Sequence, residues 1–325
     1  MLVYVIRRFG QSVFAIAVMA ILVFVGVFVI GNPVDILISP DATQADMEAA
    51  VIRLGLDKPL WQQFFHYAAG VARGDLGNSF VYGTSAFQLI LQRMPATMEL
   101  ALVALFLSVF IGVPLGMIAG LRPESIGGRS IMAGSILGFS LPNFWQGMML
   151  ILIFAVILGW LPAGGRGATV HVLGLDLSIL TADGLAHLIL PAFNLALFKM
   201  SLVIRLARAA TREAVLQDYV KFARAKGLSE RRIVLVHILK TIMIPITTVL
   251  GLELASMIAF GIVTETVFAW PGMGKLLINS ISLLDRPVIV AYLMLTVFLI
   301  VMINLVVDIL YSVLDPRLSL RDAAA

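Results

Sequence analysis

The chain has 325 residues, of which 60% are hydrophobic and 13% charged, against about 25% charged in an average soluble domain. With a mean hydropathy of +1.01 it has too little polar residue to cover a water-soluble core, which excludes a soluble enzyme before any motif is read. The absence of cysteine excludes a disulfide scaffold, a thiolate zinc site and a thiol nucleophile, and the net charge of +4 suits basic cytoplasmic loops better than nucleic-acid binding.

A helix needs about 20 apolar residues to cross about 30 Å of hydrocarbon. Six stretches qualify, so the expected fold is an all-α polytopic membrane protein with six transmembrane helices. The first, 9–30, follows Arg7 and Arg8 and reads as a retained anchor, not a cleaved signal peptide. An outer loop follows, 31–95, in which Leu56, Trp61, Phe64, Phe65, Ala68 and Val71 fall near helical spacing and predict an amphipathic helix. Asp41 to Glu48 reads as another short helix start, so the loop is expected to be a small folded cap.

The second stretch, 96–121, carries Glu99 near its start and a stripe of Gly112, Gly116 and Gly120. The third, 130–159, carries Gly134 and Gly138 and is interrupted by Pro142, which predicts a kink. Small residues four apart let helix backbones pack closely in lipid, within the chain or against a second subunit. The fourth, 186–206, contains Lys199; the fifth, 240–268, contains Glu253 and Glu265; the sixth, 288–314, contains Asp308. With the N-terminus inside, fifteen of the 23 Lys and Arg fall in inner segments, which places both termini in the cytoplasm.

Charges within spans are costly, at least about 2.5–3.5 kcal/mol at the bilayer centre, so they should face protein or a water-filled cavity. Glu253, about halfway along its span, either lines a translocation pathway that attracts a positively charged group, or is a structural partner for Lys199 or for a polar group on a second subunit. Glu99 and Glu265 fall near the outer edge, within reach of headgroup water, and Asp308 near the inner edge.

The inner loop 207–239 holds most of the positive charge. Val215, Tyr219, Phe222 and Ala223 make one apolar stripe, Gly227 suits a left-handed helix end, and Ser229 suits the cap of the next helix with Glu230 in its first turn. The expectation is helix, sharp turn, helix at the membrane surface, fit either for anionic lipid or for a docking protein.

That loop carries a family resemblance. Ala223-Arg-Ala-Lys-Gly, with Pro245 downstream, resembles the EAA loop of ABC-importer permeases. The chain more strictly resembles the B-type permeases of dipeptide and oligopeptide importers. Leu54-Gly-Leu-Asp-Lys-Pro-Leu, Gly74-Asp-Leu-Gly-Asn-Ser, Arg93-Met-Pro-Ala-Thr and Ser140-Leu-Pro-Asn-Phe-Trp match in order. So do Asp218-Tyr-Val-Lys-Phe-Ala-Arg-Ala-Lys-Gly-Leu, Glu265-Thr-Val-Phe-Ala-Trp-Pro-Gly-Met-Gly and Leu314-Asp-Pro-Arg. Glu253 and Lys199 depart from the family pattern, where neutral or apolar residues are expected.

The resemblance implies a type I ABC importer permease fold, N-in and C-in, in a bacterial inner membrane. It implies a first helix in 1–31, an extracytoplasmic segment 32–95, a transport domain 96–315 with a coupling loop at 209–239, and a cytoplasmic tail 316–325. The implied partners are a second, related permease, two ATPase subunits that hold ATP and Mg, and an extracytoplasmic binding protein. The implied ATPase contact comprises Asp218, Tyr219, Ala223, Arg224, Ala225, Lys226 and Gly227, with small residues giving close approach and Arg224 and Lys226 pairing with acids of the partner. Glu253, Lys199 and Glu265 are the candidates for the pathway, and neither a cofactor nor a metal is implied for the chain itself.

Gly272-Met-Gly-Lys-Leu resembles a phosphate loop only superficially, because Ala269 and Leu276 stand where Gly and Ser or Thr are required. Two other classes remain in view: a carrier driven by an ion gradient through Glu253 and Asp308, and an intramembrane enzyme using Glu99 or Glu253.

Overall fold

The computed structural model describes residues 2–26, 43–54 and 57–314. They form helices α1 (Leu2–Phe24), α2 (Gln44–Leu54), α3 (Leu60–Ala72), α4 (Ala86–Leu121), α5 (Ile126–Ser140) and α6 (Asn143–Leu150). After these come α7 (Ala182–Leu216), α8 (Asp218–Ala225), α9 (Glu230–Arg232), α10 (Leu239–Phe260), α11 (Ile262–Val267), α12 (Met273–Ser282) and α13 (Arg286–Leu314). Helix α6 continues as a π-helical stretch, Ile151–Ile157, and a second, Ile233–Ile238, leads into α10. A hairpin of β1 (Val170–Val172) and β2 (Leu175–Leu177) departs from the all-α expectation. Leu173 and Gly174 both have positive φ, which makes its two-residue loop a primed turn matched to strand twist.

Among the described residues four helices are long and apolar enough to cross a membrane, or six if two bent pairs each count as one span. The bent pairs are the third and fifth stretches. The kink expected at Pro142 is a break of 108° between α5 and α6. Helix α4 begins ten residues earlier than hydropathy suggests, and α7 runs on to Leu216.

The chain divides into two compact units. The first comprises residues 1–95 and 271–325. In it α1 packs along α13, with Val23 and Met294 buried against Met19, Ala20, Tyr67, Val71 and Val290. Helix α3, predicted from the outer loop, docks there through Phe64 and Tyr67, whose rings lie 5.3 and 5.7 Å from that of Phe24. Its inward face differs from the predicted stripe: Trp61 and Phe65 are exposed, while Gln63 is buried and donates to the Lys58 carbonyl at 2.7 Å. Burial pushes the Tyr67 hydroxyl up to about 12. Leu56, the side chain of Asp308, and the closing 315–325 segment lie outside the described residues.

The second unit comprises residues 96–270, with α7 packed against α5, α6 and α10. The glycine stripe of α4 is the reason α7 fits beside it. A methyl added at Gly116 would lie 2.6 Å from the Ala207 Cβ, and one at Gly120 2.7 Å from the Thr211 Cβ. Gly112 faces Val203 in the same way. These small residues therefore serve packing within the chain. Gly138 meets Ser201, whereas nothing stands within 4 Å of the Cβ position of Gly134.

Candidate functional site

The basic loop folds as the expected helix, turn and helix. Val220 and Ala223 of α8 are buried in a cluster with Val113, Met117, Val203, Ala207, Ile233, Ile238 and Ile242. The turn is a closed one: Gly227 has φ +77°, its N–H donates to the Arg224 carbonyl at 2.9 Å, and the Leu228 N–H donates to the Ala223 carbonyl at 3.2 Å. That pair of bonds is the Schellman ending, which satisfies the last carbonyls of α8 and reverses the chain without side-chain help. Ser229 starts α9 with its backbone carbonyl accepting from Arg232 and Ile233 N–H, but its hydroxyl makes no capping bond, contrary to expectation.

The charged side chains are also arranged differently from the sequence reading. Arg224 pairs with Glu230 across the turn at 2.7 Å. This pairing holds the Glu230 carboxyl below, and the Arg224 guanidinium above, the usual value. Asp218 is lowered likewise by Lys221 at 2.9 Å. The Lys226 ammonium sits 4.6 Å from the centre of the Phe222 ring, and the Tyr219 hydroxyl donates to Thr241 at 3.1 Å.

Of the predicted stripe, Ala223 turns inward, whereas Tyr219 and Phe222 face out beside exposed Leu216. Ala223 thus packs into the chain's own core, while Ala225 and Gly227 are exposed. The result is a rigid, basic, partly apolar knob. It is joined to α7 through Gln217 and to α10 through a π-helical turn.

The intramembrane charges divide into two groups. Lys199 and Glu253 form an ion pair between α7 and α10, with Ser256 accepting from Lys199 at 2.7 Å and donating to Glu253 at 3.1 Å. Their side chains are 14% and 18% exposed.

Glu99 and Glu265, expected near headgroup water, are instead buried in protein. Glu99 accepts from Arg166 at 2.9 Å, the Ser178 hydroxyl at 2.8 Å and the Ile179 N–H at 2.7 Å, and so gathers the segment around the hairpin. Glu265 is 1% exposed and accepts from Thr97 at 2.6 Å. Trp270, fully buried, donates to the Ala96 carbonyl at 2.9 Å.

Sequence reasoning missed the polar node at the break of the third span. The Gln146 amide donates to the Gly138 and Leu141 carbonyls at 2.8 and 2.9 Å, which the end of α5 leaves without intrahelical partners. Asn143 donates to Thr264 at 3.1 Å, and Asn194 donates to Asn143 at 2.7 Å. The signal for it was present, since Asn143 and Gln146 are amides within an otherwise apolar run. Among the described residues no group of His, Asp and Glu could hold a metal ion.

Comparison with known proteins agrees along the whole chain. Residues 112–320 match the family described as binding-protein-dependent transport system inner membrane component, and residues 1–101 match its N-terminal region. The di/tripeptide permease DppB of Pseudomonas aeruginosa is 37% identical, over 98% of this chain and 99% of its own. Dipeptide permease DppB of Escherichia coli is 35% identical and oligopeptide permease AppB of Bacillus subtilis 38%, each with the same coverage. A solved structure of the MetNI methionine ABC transporter, in an inward-facing conformation, shares the fold. Its TM-score is 0.53 at 18% identity, covering 70% of this chain and 97% of that one.

Proposed function

The chain belongs to the binding-protein-dependent inner membrane components of ABC importers, and we propose on that footing that it carries di- or oligopeptides through a bacterial inner membrane. It is a multi-pass permease subunit and not an enzyme; ATP hydrolysis falls to separate ATPase subunits, and cargo arrives on a binding protein. In the proposed assembly a second, related permease completes the channel, two ATPases hold ATP and Mg, and both termini are cytoplasmic. Residues 96–315 carry the transport fold, and 32–95 form its outer cap. The gradient-driven alternative gains no support, since Glu253, one of its two proposed ion carriers, is held by Lys199.

The observation that carries this reading is the knob at α8. Its exposed Leu216, Tyr219 and Phe222 are too apolar for open cytoplasm, and Asp218, Ala225, Lys226 and Gly227 ring them with charge and small residues. We assign this face to the ATPase contact, with Ala223 and Arg224 shaping it from behind. Lys199 and Glu253 border the pathway as a neutralised pair, and Glu265 acts as a buried anchor of its wall.

The test uses the whole importer, co-expressed with the permease and ATPases encoded beside it and purified in mild detergent. Gly227→Pro removes the N–H of the turn and cannot adopt its positive φ. The variant chain is expected to insert normally, to lose ATPase subunits on purification and to abolish uptake. Normal uptake by well-expressed Gly227→Pro sinks the assignment.

A further inference from the structure

Beside the Lys199–Glu253 pair stands a ladder of rings and cations that the ion pair does not account for. Phe139, the second-last residue of α5, stacks on Phe198 of α7, with ring centres 4.7 Å apart and planes 22° from parallel. The Arg205 guanidinium lies over Phe139, 5.0 Å from its centre, and the Lys199 ammonium lies over Phe198 at 5.3 Å. The order is guanidinium, ring, ring, ammonium, carboxylate, all within the second unit. Both rings and Arg205 are exposed.

The ladder is built, not incidental. Gly138 lets α5 come close to α7, since a methyl there would lie 3.3 Å from the Ser201 Oγ. Phe198 and Arg205 are seven residues apart, two turns along one face of α7. Helical side chains lean toward the N-terminus of their helix, so Arg205 reaches back along the span to Phe139 and not on toward Leu216. Its Nε donates to the Ser201 carbonyl at 3.3 Å, and among the described residues no carboxylate pairs with it. Lys199 differs, because Glu253 and Ser256 already occupy it. One cation of the ladder is satisfied; the other keeps open Nη donors.

Lipid is a poor cover for such a face. A charge turned inward along a span is costly in hydrocarbon and belongs against protein or a water-filled cavity. Exposed rings with a few placed polar groups are the usual make-up of a small-molecule site. Aromatic rings favour a bulky apolar or aromatic side chain, and a guanidinium favours a carboxylate, which it holds bidentately. In the C-terminal residue of a peptide those two groups hang on one carbon, and here their two receptors lie 5.0 Å apart.

We propose that Phe139, Phe198 and Arg205 form a cargo-reading surface in the pathway. It receives the C-terminal residue of a passing peptide, with the carboxylate on Arg205 and the side chain against the rings. The proposal rests on the reading of this chain as a peptide importer subunit. It makes the permease a second selector after the binding protein, one that passes peptides with an aromatic C-terminal residue faster than peptides ending in alanine.

The experiment reconstitutes the complete importer in vesicles of zwitterionic lipid. Binding protein is supplied in saturating amount, loaded with alanyl-phenylalanine or with alanyl-alanine, so that its own preference drops out. The reading is the ratio of the two uptake rates. Phe139→Leu with Phe198→Leu keeps apolar volume and is expected to lower that ratio about fivefold, the size of one aromatic contact. Arg205→Gln is expected to slow both cargoes about tenfold with the ratio near that of the wild type, because both carry the carboxylate. Arg205→Lys, which keeps the charge, is expected to restore part of that rate.

A ratio that does not move in the double ring variant overturns the proposal. So do uptake rates that Arg205→Gln leaves unchanged. Loss of the second permease from the purified double variant would make the ladder a contact between subunits, and the cargo assignment falls. It falls also if Arg205→Gln slows uptake only in vesicles with added anionic lipid, since the carboxylate-like ligand is then a headgroup. Wild-type vesicles that take up neither dipeptide overturn the peptide reading itself, and this proposal with it.

Discussion

Two ion pairs of the second unit use the same chemistry in opposite surroundings. Arg166 and Glu99 are 12% and 3% exposed, and the carboxylate is filled by two further donors. Arg224 and Glu230 are 43% and 64% exposed and bridge a turn that backbone bonds already close. Arg166 neutralises the buried Glu99 carboxylate, so its loss leaves charge stranded in a dry place. The second pair is surrounded by water and adds little to a turn whose shape comes from Gly227. Burial, and not the identity of the partners, decides how much a salt bridge holds.

The comparison breaks first at its buried end. Arg166→Ala leaves Glu99 uncompensated and is expected to cost about 3–5 kcal/mol, read as a much lower thermal midpoint and yield in detergent. A change within the scatter of replicates would mean that Ser178 and Ile179 suffice for Glu99. Lys199 and Glu253 sharpen the middle ground. Glu253→Gln is expected to cost about 1–3 kcal/mol, whereas Lys199→Met with Glu253→Met should recover most of that loss by removing both charges. If Glu253→Gln instead reorders which peptides are taken up while stability holds, the acid at the pathway border acts on cargo and not only as the partner of Lys199.

The exposed pair gives the smallest effect, and its sign is fixed. The Glu230 carboxyl lies below its ordinary value of 4.5 in the folded turn. Its contribution is therefore complete above that value and is lost as pH falls through the lowered one. Amide protection factors at Gly227 and Leu228, corrected for intrinsic exchange, are expected to fall slightly across that acid window. In Glu230→Gln they should be flat. A fall of equal size in that variant would assign the effect to another group.

The positions of the spans were legible in sequence because long apolar runs have few other uses. The turn at Gly227 was legible because positive φ favours glycine. The direction of α8 was not legible. In an eight-residue helix, apolar Tyr219 and Phe222 mark a face, but hydropathy does not say whether that face belongs to the chain's own core or to a partner's. Here Val220 and Ala223 take the core and leave the larger rings outside. Pro142 announced an interruption, yet its size comes from Gln146 capping carbonyls that a mere kink would have kept. Glu99 was misplaced because its partner lies 67 residues away, on a loop whose course no local pattern records.

The glycine stripe of α4 has a mechanical meaning. Val203, Ala207 and Thr211 sit against Gly112, Gly116 and Gly120 along two full helical turns, with no room for a methyl at Gly116 or Gly120. Backbones meshed so closely resist sliding by less than a whole turn, so a tilt of α7 carries α4 with it. From Ala192 to Leu216 α7 is about 37 Å long at ~1.5 Å per residue, and α8 is attached to its end. A rotation of roughly 5° applied there displaces the far end by about 3 Å, from that length. The stripe is a spline: under the proposed ATPase contact, a push on the small surface knob becomes the swing of a two-helix rod.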